Sequence, residues 1–210
     1  MSESEDKAKI LSAMGGVKGL IDSGLPALLF LIAFNITKEE SMSAYAALAL
    51  SLLLTLFRLV KRETIQHSIG GFIGVGICFL ITMRTGKAED FFLLGLWTNA
   101  IYGSAYLISI LLRWPVIGLI IGPLLEENFR WRKDPARSKV YIKATWLWVG
   151  MFAIRLTVQY PLYVSGNVNL LGSARLIMGY PLFIATAWAT WLVIKSGPKL
   201  RDDLRIGKES

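Results

Sequence analysis

Six long stretches of this sequence are almost free of charged residues, and this pattern constrains the fold more than any other feature. Each stretch approaches the roughly 20 residues that an α-helix needs to cross the core of a bilayer. They are Ser23–Thr37, Ser41–Phe57, Thr64–Met83, Phe91–Leu112, Ala144–Tyr163 and Leu176–Ile194. Because a backbone in lipid must satisfy its own hydrogen bonds, such segments are expected to be helical. The sequence therefore predicts an all-α, polytopic membrane helix bundle.

The predicted bundle is a single membrane domain, residues 18–195, between two tails, residues 1–17 and 196–210. A further apolar segment, residues 114–125, is too short to span a bilayer. We expect it to be re-entrant or to lie at the inner interface; the alternative is that it prolongs the preceding helix after a kink. A basic loop, residues 126–143, follows it. The six transmembrane helices are predicted at about residues 19–37, 42–60, 64–83, 91–112, 144–163 and 174–195.

The charges outside the apolar stretches predict the orientation. Eighteen lysines and arginines fall on the side of the two termini, whereas only Lys38, Arg84 and Lys87 fall on the other side. By the positive-inside rule, both termini are expected in the cytoplasm and the chain in the plasma membrane as a multi-pass protein. The same rule accounts for the net charge of +8, so no nucleic-acid partner is implied. Cys78 is the one cysteine, which excludes a disulfide within the chain.

The basic loop, residues 126–143, combines several cations with aromatic side chains such as Phe129 and Trp131. A basic, aromatic segment next to a membrane is attracted to anionic lipids, by roughly 1 kcal/mol per cation near the surface. We therefore expect membrane lipids, anionic ones in particular, as partners. Docking of a cytoplasmic protein is the alternative use of this loop.

A short motif occurs twice near the end of the chain, beginning at Arg155 and again at Arg175. The shared pattern is R-L-x-x-x-Y-P-L followed by an aromatic residue. A buried arginine in a membrane must have partners, and a small anionic solute is one possibility. The candidate ligand-binding residues are Arg155, Arg175, Gln159, Glu89 and Asp90. The alternatives are that an arginine forms a structural ion pair with Glu89 or Asp90, or that these two carboxylates only cap a helix.

Polar residues at the inner ends of four predicted helices form a second candidate cluster: Asp22, Arg58, His67 and Arg113. No metal-binding or nucleophile pattern accompanies them, so no catalytic residue, metal or cofactor is predicted. Gly70 and Gly74 have G-x-x-x-G spacing, as do Gly118 and Gly122. Such spacing lets helices approach closely, which favours tight packing or self-association into a homo-oligomer.

Several strings resemble an uncharacterised family of actinobacterial multi-pass membrane proteins, catalogued as a domain of unknown function. They are Gly15–Pro26, Arg84–Phe92, Leu111–Gly118, Ala144–Trp148 and the two arginine motifs. The chain is also distantly similar to the intracellular septation protein A group. The first resemblance implies no activity, and the second implies a role in the cell envelope or in division.

The sequence is compatible with three functions. The first is a transporter-like or solute-binding membrane protein with an anionic ligand. The second is a non-catalytic cell-envelope or division factor that acts through lipids and other envelope proteins. The third, an enzyme acting on lipid phosphates, lacks a nucleophile or base beside the arginines. We therefore expect a protein that is not an enzyme.

Overall fold

The computed structural model describes residues 16–61 and 65–201 and the side chains of residues 24–61 and 69–201. Within these ranges the chain is helical and contains no β-strand, which confirms the all-α prediction. Two short 3₁₀ helices cover Ala88–Phe92 and Arg130–Lys133. The α-helices are α1 (Gly16–Thr37), α2 (Glu40–Val60), α3 (Ile65–Thr85), α4 (Leu93–Leu111), α5 (Val116–Leu124), α6 (Pro135–Val164), α7 (Val168–Ile177) and α8 (Tyr180–Ser196).

Helix α2 buries small and polar residues and exposes large apolar ones. In α2 the buried residues are Ser43, Ala44, Ala47 and Ser51. Leucines and aromatic residues of the same helix are exposed, for example Phe57 at 59%. A water-soluble helix has the opposite arrangement, whereas a lipid-facing helix packs through its small residues. The distribution is therefore that of a membrane protein.

Three segments of the described residues are both long enough and apolar enough to cross a membrane: Glu40–Val60, Ala88–Leu111 and Val168–Ser196. Two shorter apolar helices, Gly24–Thr37 and Ile69–Thr85, accompany them. Helix α6 has 30 residues and is about 45 Å long at a rise of 1.5 Å per residue. It exceeds the bilayer core, and its first turns carry Arg137, Lys139 and Lys143.

The segment predicted as a basic loop is largely structured. Helix α6 begins at Pro135, nine residues before the predicted helix at 144. The carboxylate Oδ1 of Asp134 accepts hydrogen bonds from the backbone N–H groups of Ala136 (3.0 Å) and Arg137 (3.3 Å). An aspartate cap followed by a proline in the first turn starts a helix by satisfying its free N–H groups. The segment therefore forms a helix, although its charge indicated a loop.

The short segment is a helix of its own, α5. Helix α4 ends at Leu111, and Arg113 then takes a left-handed backbone conformation with φ of 57°. A residue in that region cannot continue a right-handed helix. The chain therefore breaks at Arg113-Trp114-Pro115, and whether α5 is re-entrant, interfacial or a kinked prolongation of α4 stays a prediction.

The two arginine motifs have different backbones. Pro161 lies inside α6, whereas the second copy interrupts the predicted helix 174–195 between Ile177 and Tyr180. At the position of Gln159 the second copy has Gly179, and Pro181 follows in the first turn of α8. Glycine is a poor helix former and proline lacks an N–H donor, so together they break the helix.

The chain divides into two compact units. Among the described residues, unit 1 comprises residues 16–61, 65–96 and 159–177, and unit 2 comprises residues 97–158 and 178–201. The core of unit 1 is aromatic: the ring of Phe30 stacks on Phe91 at 4.0 Å and meets the edge of Phe92 at 5.6 Å. The core of unit 2 surrounds the fully buried rings of Trp131 and Tyr141.

The two G-x-x-x-G pairs have different environments. A Cβ atom on Gly118 would lie 2.8 Å from the indole of Trp131, and one on Gly122 would lie 2.6 Å from the carbonyl oxygen of Asn128. This pair therefore seats a tryptophan and the turn before it. At Gly70 and Gly74, no atom of the described residues lies within 4 Å of such a Cβ.

We expect Gly118→Ala to lower the stability of the purified protein by about 1–3 kcal/mol, because the buried indole of Trp131 cannot retreat. The matched variant Gly74→Ala should be neutral or stabilising by up to about 1 kcal/mol, since alanine is the better helix former. Thermal unfolding in detergent measures both. A larger loss of stability for Gly74→Ala than for Gly118→Ala would contradict these environments of the two glycines and show that another helix covers α3.

Candidate functional site

A polar pocket of unit 1 is the candidate functional site. Its volume is about 530 Å³, within the range typical of small-molecule sites. Three connections meet around it: those between α1 and α2, between α3 and the first 3₁₀ helix, and between α6 and α7. It is lined by Phe34, Lys38, Glu40, Gly86, Lys87, Ala88, Glu89, Ser165, Gly166, Asn167, Val168 and Asn169.

Left-handed residues shape all three walls of this pocket. Lys38, Gly86 and Gly166 have φ angles of 59°, 64° and 66°. Each lies at the end of a helix. For example, the backbone N–H of Lys38 donates to the carbonyl of Phe34 (3.0 Å), and the backbone N–H of Gly86 donates to the carbonyl of Thr82 (2.9 Å). Glycine adopts this cap without strain, whereas a lysine does so at a cost of about 1–2 kcal/mol.

The pocket offers charges of both signs. Lys38 and Lys87 are exposed cations, and Glu40 and Glu89 are half-buried carboxylates. Asn169 is tied down, since its side-chain oxygen accepts a hydrogen bond of 2.8 Å from Asn35 on α1. Ammonium and amide donors of this kind bind a carboxylate or a phosphate, and the carboxylates can accept from donor groups of the same solute.

Of the predicted site residues, Glu89 lines this pocket and Asp90 does not. Asp90 is 4% exposed and accepts a hydrogen bond of 2.5 Å from the Tyr163 hydroxyl. The partner of Asp90 is therefore a tyrosine at the end of α6, and the expected ion pair with an arginine is not formed there. Asp90 anchors the start of the α4 segment to α6 within unit 1.

Arg175 lies at the end of α7 and packs on the start of α4. Its Nη1 donates to the backbone carbonyl of Phe92 (3.2 Å), and its guanidinium lies 5.5 Å from the Phe92 ring centroid. A Cβ atom on Gly95 would collide with the guanidinium, so this glycine makes room for the arginine. Arg175 thus joins two helices of unit 1.

Gln159 lies about one helical turn after Arg155 on α6. Arg155 donates from Nη1 to the side-chain oxygen of Asn99 on α4 (3.3 Å), within unit 2. Gln159 belongs to unit 1 and is 2% exposed, and its Nε2 has no hydrogen-bond partner among the described residues. Because Arg155 and Arg175 belong to different units, a joint anion site stays a prediction.

The predicted inner-face cluster is only partly described. The side chains of Asp22 and His67 lie outside the described residues. Arg58 is half-buried in the last turn of α2, in unit 1, and Arg113 is exposed after α4, in unit 2. The cluster therefore stays a prediction.

A buried ion pair that the sequence analysis did not single out organises unit 2. Arg137 is 3% exposed and Glu127 is 6% exposed. The guanidinium binds the carboxylate through two bonds, Nη2 to Oε1 at 2.7 Å and Nε to Oε2 at 3.0 Å. The hydroxyl of Tyr141 donates to the same carboxylate at 2.7 Å. This geometry compensates for the burial of both charges.

The pair also holds the segment that follows α8. Nη1 of Arg137 donates to the carbonyls of Ile194 (3.3 Å) and Pro198 (3.2 Å). The carboxylate of Asp134 accepts from the backbone N–H of Arg201 (3.3 Å), and Leu200 is 3% exposed in the core of unit 2. Residues 197–201 were predicted as part of a charged tail, but they are docked in unit 2.

The protonation state of Tyr141 supports this network. Burial raises the pKa of the Tyr141 phenol above its ordinary value, and the hydrogen bond to Glu127 raises that pKa further. The phenol therefore keeps its proton at neutral pH and remains a donor to the carboxylate.

The comparisons with known proteins identify the family. Residues 14–201 match the family described as "Protein of unknown function (DUF3159)". The chain belongs to this family. The match begins before α1 and ends at Arg201, so it covers every described helix. No curated protein and no solved structure matches the chain.

Part of the site left a signal in the sequence. Lys38 and Lys87 are two of the three cations assigned to the outer side, and cations are rare on that side of a membrane. The pair Asp134-Pro135 was a helix start signal within the basic segment. Nothing in the sequence indicates that Arg137, among several neighbouring cations, is the buried one, because the helical phase depends on where α6 begins.

We expect Arg137→Met to destabilise the protein by about 3–5 kcal/mol, because Glu127 would remain buried without its cation. The matched variant Lys139→Met removes an exposed cation two residues away and should change stability by less than about 0.5 kcal/mol. Chemical unfolding in detergent measures both. Equal effects of the two variants would contradict a structural role for the pair.

Proposed function

We propose that this chain is a six-span plasma-membrane protein, transporter-like or solute-binding, that takes up a small solute with an anionic group in the polar pocket of unit 1. The pocket itself is the observation that carries the proposal. It joins a suitable volume with Lys38 and Lys87 as cations and Glu89 as an acceptor. No catalytic step is assigned to it.

The grouping of the loops supports the six-span topology. The connections around the polar pocket are those that this topology assigns to the outer side. Within unit 2, residues 127–141 bind residues 194–201, and the same topology assigns these two segments to the inner side.

The interruption between α7 and α8 supports a transporter-like function. Discontinuous membrane helices leave backbone groups unpaired in the membrane, and transporters use them near substrate sites. Here the interruption follows Arg175 by two residues. A cation beside a helix break is a suitable feature for an anionic solute path.

The test is thermal unfolding of the purified protein with succinate, inorganic phosphate or alanine. We expect one of the two anions to stabilise the wild type, by about 2.7 kcal/mol at one hundred times its Kd. Lys38→Asn and Lys87→Gln should abolish this stabilisation. Without an anion, Lys38→Asn should be more stable than the wild type by up to about 1 kcal/mol, because asparagine tolerates the left-handed backbone better.

Arg84→Gln is the matched control, because Arg84 is an exposed cation of the same region that does not line the pocket. It should keep the anion response. Loss of the response in Arg155→Gln but not in Lys38→Asn would reject the pocket and favour the joint site of Arg155 and Arg175. If only alanine stabilises the wild type, the solute is a zwitterion and the proposed anionic class is wrong.

The second candidate is a non-catalytic cell-envelope or division factor. The observation that favours it is the open face of α3 at Gly70 and Gly74, where no described atom lies within 4 Å of an added Cβ. Another membrane helix can approach such a face closely. If the protein is such a factor, Gly74→Leu should disrupt its association with a partner. Lys38→Asn should then leave its function in cells unchanged.

A further inference from the structure

Three exposed side chains at the ends of α5 form a second cluster in unit 2, separate from the polar pocket. The guanidinium carbon of Arg132 lies 3.7 Å from the ring centroid of Trp114. The ring of Phe129 meets that of Trp114 at 6.1 Å with an interplanar angle of 61°. Trp114 is 40% exposed and Phe129 is 55% exposed. We refer to these three residues as the Arg132 cluster.

Stacking prepares the Arg132 guanidinium for an anion. A guanidinium held against an indole face keeps its N–H donors in the plane of the group, where they can reach a ligand. Among the described residues, the Arg132 side chain has no hydrogen-bond partner, whereas that of Arg137 has several. A planar cation of this kind binds phosphate oxygens through two parallel bonds.

The charge around the cluster favours an anionic surface over a single anion. Between Leu112 and Lys143, the negative charges of Glu127 and Asp134 are buried, which leaves Glu126 as the exposed carboxylate. The exposed cations of the same segment are Arg113, Arg132, Lys133, Lys139 and Lys143. Five exposed cations against one exposed carboxylate attract an anionic membrane surface, by roughly 1 kcal/mol per cation.

The apolar residues beside the cluster distinguish a lipid from a soluble anion. Helix α5 buries Ile117, Gly118 and Gly122 and exposes Ile120 (50%) and Leu124 (60%). Trp114 directly precedes this helix, and an indole with one wet edge is typical of the membrane interface. An acyl chain can cover the exposed leucine and isoleucine, and a free phosphate cannot.

We propose that the Arg132 cluster binds the phosphate of an anionic phospholipid, with Trp114 at the level of the head groups and the exposed face of α5 against the acyl chains. This lipid site is independent of the solute pocket. It assigns different tasks to two arginines of one segment: Arg137 stabilises the fold, and Arg132 contacts the membrane.

Native mass spectrometry of the full chain in a neutral detergent tests this site with phosphatidylglycerol and phosphatidylcholine. We expect the wild type to retain phosphatidylglycerol preferentially. Arg132→Gln should weaken phosphatidylglycerol binding about tenfold or more, as expected for lost hydrogen bonds between charged groups. Arg132→Lys should restore only part of the affinity, because lysine keeps the charge but not the planar fork.

Lys195→Gln is the matched control, because Lys195 is an exposed cation that lies 4.5 Å from the Trp191 ring centroid, also in unit 2. It should stay within about twofold of the wild-type affinity, a difference of less than about 0.5 kcal/mol. Thermal unfolding without lipid should show that Arg132→Gln, with its exposed side chain, folds normally.

Three results would each overturn the proposal. In the first, Arg132→Gln binds phosphatidylglycerol as tightly as the wild type. In the second, phosphatidylcholine is retained as well as phosphatidylglycerol, so the phosphate charge does not matter. In the third, glycerol 3-phosphate displaces the lipid at equal concentration, so the site takes a soluble anion and the exposed face of α5 contributes nothing.

Discussion

Lipid solvation of the outer surface is the constraint on which the rest of this structure depends. Apolar side chains gain little by leaving lipid for the protein interior, so helices are held together by close packing and polar contacts. The described helices follow this rule. Gly172 receives Leu31, Gly95 receives Arg175, and Gly103 receives Phe152, each at a distance that leaves no room for a Cβ atom in a relaxed position.

The charges of the chain have two separate functions because of the same constraint. A buried charge is tolerated only where a partner compensates for it, as the Glu127 carboxylate does for Arg137. Such charges determine which segments pack together, and this pair brings the residues after α8 into unit 2. Exposed charges such as Lys87 and Arg132 contribute little to stability and are available to ligands. The two proposed binding sites use charges of the second kind.

The helical class and the approximate limits of the first four apolar helices could be predicted because length and hydrophobicity alone determine them. The basic segment could not, because Asp134 and Pro135 begin a helix inside a run of cations whose charge indicated a loop. The interruption near Gly179 was missed for a related reason. Its composition is apolar, and only the combination of glycine and proline at one turn breaks the helix.

The candidate site shows the same division. Glu89 was predicted as a site residue from its charge. The polar pocket combines it with residues from two other connections, and their proximity depends on three left-handed helix ends. Local composition by itself determined that this chain is helical and suited to a membrane, since each helix responds to its own residues. Only the tertiary structure decided that Arg137 is buried, that Arg132 is exposed and that Asp90 pairs with Tyr163. Those outcomes depend on contacts between residues far apart in the chain, and the sequence of one segment carries no information about which distant group will lie opposite it.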